Sequence, residues 1–198
     1  MKLFKSLREE LNLFEAKTKK YKLGDKKGKL YQIVALVDIK GTSVKAGDTG
    51  GYVSSESNLS QEGSCWIYDN AVVSDNATVR HNAVIKDNAV VSDKGFIMNN
   101  AEVSGNAKVS QGGQVFANAV VTDNAKIYGS ATITDNAEIS QNAEIFGDLV
   151  IMRKLKISGK IKISVGGVSS GIGSKLWKPE HVSNAKSSKT AFKTAGES

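Results

Sequence analysis

The 198 residues include one cysteine, one proline and two histidines. With Cys65 alone, neither an intramolecular disulfide nor a cysteine-built zinc site can form. Packing must therefore carry the fold, and a chain of this length can bury a core without such supports. Sparse cysteine also fits a reducing, cytoplasmic location. Long apolar runs are missing too. No stretch approaches membrane-spanning length, and the opening MKLFKSLREELNLFEAK breaks each apolar run with charges, unlike a signal-peptide core. The glycine clusters GDTGG and VGGVSSGIG lack the Lys-Ser/Thr ending of a phosphate loop, so nucleotide binding is not expected from them.

Charge is unevenly spread. Residues 1–50 hold 12 Lys/Arg against 6 Asp/Glu, residues 51–147 hold 5 against 11, and residues 148–198 hold 10 against 3. An acidic middle thus lies between basic ends, and the net charge of +7 describes no basic face along the middle. Lys and Arg do not alternate with aromatics along a groove, so nucleic acid is not an expected partner.

What the middle does contain is a six-residue repeat. From SCWIYD onward it reads NAVVSD, NATVRH, NAVIKD, NAVVSD, KGFIMN, NAEVSG, NAKVSQ, GGQVFA, NAVVTD, NAKIYG, SATITD, NAEISQ, NAEIFG without insertion. Register is expected to hold from about Asn58 to about Val165. Position 2 is small, position 4 is Val or Ile, and positions 6 and 1 are rich in Asp, Gly and Asn. A helix cannot use this spacing, since six residues turn about 600° and scatter the aliphatics over three sides. In a strand, positions 2 and 4 share one face while 3 and 5 share the other. Positions 6 and 1 then form a corner, where Asn, Asp and Gly tolerate left-handed backbone. One hexad cannot bury its inward pair alone, so the pattern predicts a stacked solenoid.

A small residue two places before an aliphatic, every six residues, resembles the hexapeptide repeat of left-handed parallel β-helices, in which three hexads make one triangular coil. That resemblance implies an all-β solenoid and supplies its handedness. Three hexads per coil would stack Asn70, Asn88, Asn106, Asn124 and Asn142 at one corner and Val73, Val91, Val109, Ile127 and Ile145 inside. About six coils at roughly 4.8 Å would give a prism about 30 Å long. Within residues 35–71, VKAGDTGGYV and NLSQEGSCWIYD are similar to the opening segment of the YdcK-like family of bacterial and prophage-associated hexapeptide-repeat proteins, which carry an acetyltransferase label. The family resemblance places the chain in a bacterial or phage-infected cell. The label rests on fold, which does not determine activity.

The flanks must cover open solenoid ends. Residues 1–28 are read as a short amphipathic helix, with Phe4, Leu7, Leu11 and Phe14 on one side, followed by a basic solvated connector. Only that helix offers a membrane contact. Residues 29–57 are read as a strand-and-turn cap, 58–165 as the β-helix and 166–198 as a flexible basic tail. Leu149, Leu155 and Ile161 replace position-2 alanine and should close the last coil, with Leu176 and Trp177 able to dock on it.

An acyltransferase of the hexapeptide class would need acetyl-CoA and a histidine general base within reach of the acceptor. Only His81 and His181 could serve. His81 occupies a corner where Asp or Gly usually stands, which suits a turn residue. Cys65 is at an inward position and reads as core. The corner Asp residues need no metal to explain them. Paired threonines suited to an ice-binding face occur only at Thr132 and Thr134, so that reading is rejected. No catalytic, cofactor or metal site is therefore expected, with His81 and acetyl-CoA as the alternative. The preferred expectation is a binding or assembly solenoid. Every third hexad lines Phe96, Met98, Phe116, Val150 and Met152 outward on one face, and this apolar strip is the expected contact for a homo-oligomer or protein partner. Trp66, Tyr68, Tyr128 and Phe146 are the outward aromatics of the other faces.

Overall fold

A computed structural model describes residues 19–164 and three short strands beyond them, Gly167–Ser170, Lys175–Leu176 and Val182–Ser183. The expected N-terminal helix, His181, Trp177 and the end of the basic tail lie outside the described residues. The hexads wind into a left-handed parallel β-solenoid of about six turns. Position-2 alanines and position-4 aliphatics point inward, and Ala71, Val73, Ala89, Val91, Ala107 and Val109 are all fully buried. Each hexad contributes two to four residues of strand, paired with the hexad one coil away. Val73 aligns with Val91, Val91 with Val109, Val109 with Ile127, and Ile127 with Ile145. Three faces result, named here by their leading features: the lead-in face continuing through Val72–Val73 and Val90–Val91, the Trp66 face, and the Phe96 face.

At position 6 the backbone is left-handed. Twelve non-glycine residues, from Asp69 to Arg153, have φ between 54° and 65°, a conformation that costs roughly 1 kcal/mol or more for most L-residues. Repeated side-chain bonds offset this cost. Asp87 Oδ2 accepts the Gly105 N–H at 2.8 Å, Asp123 Oδ2 that of Gln141 at 2.8 Å, and Asp135 Oδ2 that of Arg153 at 2.9 Å. The corner carboxylates thus link successive coils. Asparagines form a second ladder, but its continuous run differs from the expected one. Asn82 donates to Asn100, Asn100 to Asn118, and Asn118 to Asn136, whereas on the expected corner the amide-to-amide bond runs from Asn106 to Asn124.

The solenoid begins with an antiparallel meander of β1 (Tyr21–Lys27), β2 (Leu30–Ala35) and β3 (Thr49–Val53). The stretch read as a basic connector is therefore partly strand. Its lysines suit a sheet edge, where charge discourages pairing with another chain. β3 then joins the coils in parallel through Tyr52–Val72 and Val53–Val73. Gly50 and Gly51 are buried there, and a Cβ on Gly51 would lie 2.5 Å from the Ala71 carbonyl oxygen. The glycine pair in KAGDTGGYV lets β3 lie directly on the first coil.

Repeat register starts later than Asn58. Leu59 bridges Val79, two residues further along than the eighteen-residue step of Ser64 to Asn82. The excess lies between Leu59 and Trp66, and two buried polar side chains close the end around it. Asn58 Oδ1 accepts the N–H groups of Ser54 and Ser55 at 3.1 and 2.8 Å, while its Nδ2 donates to the carbonyls of Asp75 and Ala77 at 3.0 and 2.8 Å. It replaces a missing coil with one amide. Lys20, 5% exposed, donates to the carbonyls of Cys65, Glu62 and Gly63 at 3.0, 3.3 and 3.4 Å. Gln61 leaves the inward set and instead accepts the Lys20 and Tyr21 N–H groups.

The far end closes by reversed strands. Gly167–Ser170, Lys175–Leu176 and Val182–Ser183 pair antiparallel with the last strands of the lead-in, Trp66 and Phe96 faces respectively. Strand at Gly167–Ser170 departs from the expected flexible linker, because an unpaired ladder edge offers its backbone groups partners. Leu149, Leu155 and Ile161 are buried at this end, as their size requires.

Candidate functional site

Two places stand out from the regular prism: the Phe96 face and the irregular first coil. On the face, parallel pairing brings Thr78, Phe96, Gln114, Thr132 and Val150 into one outward row. Phe116 meets Phe96 from the adjacent coil, ring centroids 5.8 Å apart and nearly perpendicular. Arg80 places its guanidinium 5.8 Å from the Phe96 centroid on the other side. Phe96, Met98, Phe116, Val150 and Met152 are each half-buried. Phe96 and Val150 thus share one face with Gln114 and Thr132 between them, and Phe96 and Phe116 cover each other. Among the described residues, the large apolar side chain that stands openly exposed is Val37, at 41%.

The other outward aromatics divide. Trp66 is buried and packs edge-on against Tyr21 at 6.4 Å, a consequence of the lead-in meander covering the first coil. Tyr128 and Phe146 stack in parallel at 4.9 Å. Beside them Lys126 and Lys162 both bridge Glu144, and the Lys162 hydrogen bond, followed by that of Lys126, holds the Glu144 carboxyl below its ordinary range.

The first coil carries an open cleft of about 530 Å³. Its walls include Glu56, Ser60, Gln61 and Glu62 on the irregular loop and Arg80 and His81 on the next corner. The excess residues after Leu59 form one wall of this concavity. Two carboxylates, one amide, a guanidinium and an imidazole give it mixed polarity, and Lys19 bridges Glu56 at 3.2 Å.

His81 is exposed and left-handed, with φ 60°. Its Nδ1 accepts the Asn99 N–H at 3.4 Å, the same contact that Asp135 makes to Arg153. The arrangement performs corner chemistry. His81→Asp is accordingly expected to keep the fold and to shift stability by no more than about 0.5 kcal/mol in thermal denaturation. Loss several times larger would show that the imidazole supports the cleft in a way an aspartate cannot.

Among the described residues no group of three or more His, Cys, Asp or Glu could hold a metal ion. No described helix is long and apolar enough to cross a membrane. The pairing puts Phe96 and Val150 in one row, while Lys20, Asn58 and the two-residue excess were not read from the sequence. Only the break in small-aliphatic spacing at NLSQEG signalled the last of these.

No family model matches the chain. A stretch of 54 residues, 27% of the chain, is 44% identical to a protein of Escherichia coli (strain K12) described as "Uncharacterized acetyltransferase YdcK". That stretch spans 16% of the relative's length.

Proposed function

We propose that the protein is a binding and assembly scaffold, acting in the cytoplasm, whose Phe96 face meets a second copy of the chain. The apolar group of Phe96, Met98 and Phe116, with Val150 and Met152 two coils further along the same face beyond Thr132, carries this reading. An apolar strip on an otherwise polar surface gains by meeting another surface, and two aromatic rings with a neighbouring arginine are the residue types that anchor interfaces. Resemblance to hexapeptide proteins, which are often trimeric, favours a second copy over a foreign protein.

Phe96→Ser combined with Phe116→Ser is expected to lower the molar mass measured by light scattering while circular dichroism remains β-rich. A wild-type protein that is monomeric at high concentration would exclude self-association. A second reading, a CoA-dependent acyltransferase, is favoured by the acetyltransferase description of the Escherichia coli relative and by the cleft at His81. Against it stands the engagement of His81 Nδ1 in the corner ladder.

A further inference from the structure

Residues 1–18 set off from a fixed point on the first coil. Lys19 bridges Glu56 at 3.2 Å, and the Lys20 N–H donates to Gln61 Oε1 at 2.9 Å. Glu56 and Gln61 both line the first-coil cleft, so the preceding segment departs at its rim. Arg80, on the same cleft, holds its guanidinium 5.8 Å from the centroid of Phe96, whose ring lies 5.8 Å from that of Phe116. The cleft therefore joins the exit of residues 1–18 to the apolar face. In MKLFKSLREELNLFEAKT, Phe4, Leu7, Leu11 and Phe14 recur at helical spacing. Phe4 and Phe14 are about 15 Å apart along such a helix. On the face, the row from Phe96 to Val150 advances three coils, about 14 Å, with an apolar group at each end. Residues 15–18 can span about 13 Å when extended, which suffices to cross a cleft of about 530 Å³.

We infer that residues 1–18 cover the Phe96 face of their own chain, with Phe14 against Phe96 and Phe116, and Phe4 against Val150 and Met152. A tether of four residues keeps the segment at a high effective concentration over that face. Removing the facing aromatic and aliphatic side chains from water favours the contact. Glu15, in the crossing stretch, has the charge that complements Arg80 on the cleft wall. The consequence for assembly rests on the scaffold reading above. A second copy gains the face only by displacing the segment, so the fraction of uncovered chains sets the apparent affinity.

Full-length protein carrying a benzophenone amino acid in place of Phe14 tests the cover. Isotopically light and heavy chains are mixed in dilute solution, irradiated and digested for mass spectrometry. The expected cross-link joins residue 14 to a peptide containing Phe96 or Phe116, and only between segments of like label. Cross-links of mixed label, in which a second copy supplies the segment, would overturn the cover, as would cross-links confined to other surfaces or none at all. For displacement, Phe4→Ser combined with Phe14→Ser in the full chain should associate at a concentration about tenfold lower than wild type, read by light scattering. An unchanged or higher concentration removes the competition between segment and second copy. If both proteins stay monomeric, the scaffold reading fails and displacement with it, while the cross-link still decides the cover.

Discussion

Val91→Asp is expected to abolish cooperative folding or lower stability by about 4 kcal/mol or more, whereas Ser92→Asp should cost about 1 kcal/mol at most. The two substitutions are adjacent and introduce the same carboxylate. Val91 is fully buried between Val73 and Val109, so an aspartate there has aliphatic neighbours above and below and no hydrogen-bond donor in the stack. Ser92 is half-buried on the outer surface, with its hydroxyl toward Asp93 at 3.4 Å. A carboxylate at 92 keeps solvent but meets like charge, which accounts for the small cost. Urea denaturation followed by circular dichroism measures both. Similar midpoints would mean that the inward and outward positions of the hexad have been interchanged.

Gly51→Ala should be the more damaging of two glycine substitutions, by about 3 kcal/mol. Its added methyl would stand 2.5 Å from both the Ala71 carbonyl oxygen and Ile67 Cγ2, and 3.1 Å from the Tyr68 carbonyl oxygen. Two of these three neighbours are backbone of the first coil, held by its own ladder, so β3 would have to move away. Gly28→Ala provides the comparison. Gly28 has φ +63° with nothing within 4 Å of a built Cβ, so its substitution brings left-handed strain alone, about 1 kcal/mol. Thermal melts of the two variants separate crowding from conformational strain. Equal losses would remove the close approach of β3 as the reason for the glycine pair.

The repeat made the coils legible because each hexad solves the same packing problem with the same chemistry. Alanine at position 2 and aliphatics at position 4 state the inward face, and Asp, Asn or Gly at the corner states the turn. The sequence also placed Phe96 and Phe116 on neighbouring coils of one face, since the step of three hexads follows from the triangular form. Where repetition stops, so does legibility. Lys20 reads as one more residue of a basic run, yet it is buried because three loop carbonyls at the open end need a donor. Asn58 looks like any corner asparagine, while its amide serves two backbone donors and two backbone acceptors. Such roles depend on which coil is absent, and local spacing does not encode that. Mutual covering of Phe96 and Phe116 was hidden for a related reason: outward alternation specifies direction, while exposure depends on the neighbours.

Titration calorimetry of acetyl-CoA into the wild-type protein tests the scaffold reading against the acyltransferase reading most directly. Two acidic side chains rim the only irregular coil described, and His81 is engaged at its corner, so no saturable heat is expected at ordinary cofactor concentrations. Saturable binding that disappears in His81→Ala, with the β-rich circular dichroism retained, would contradict the scaffold reading and restore the cleft as an acyl-transfer site.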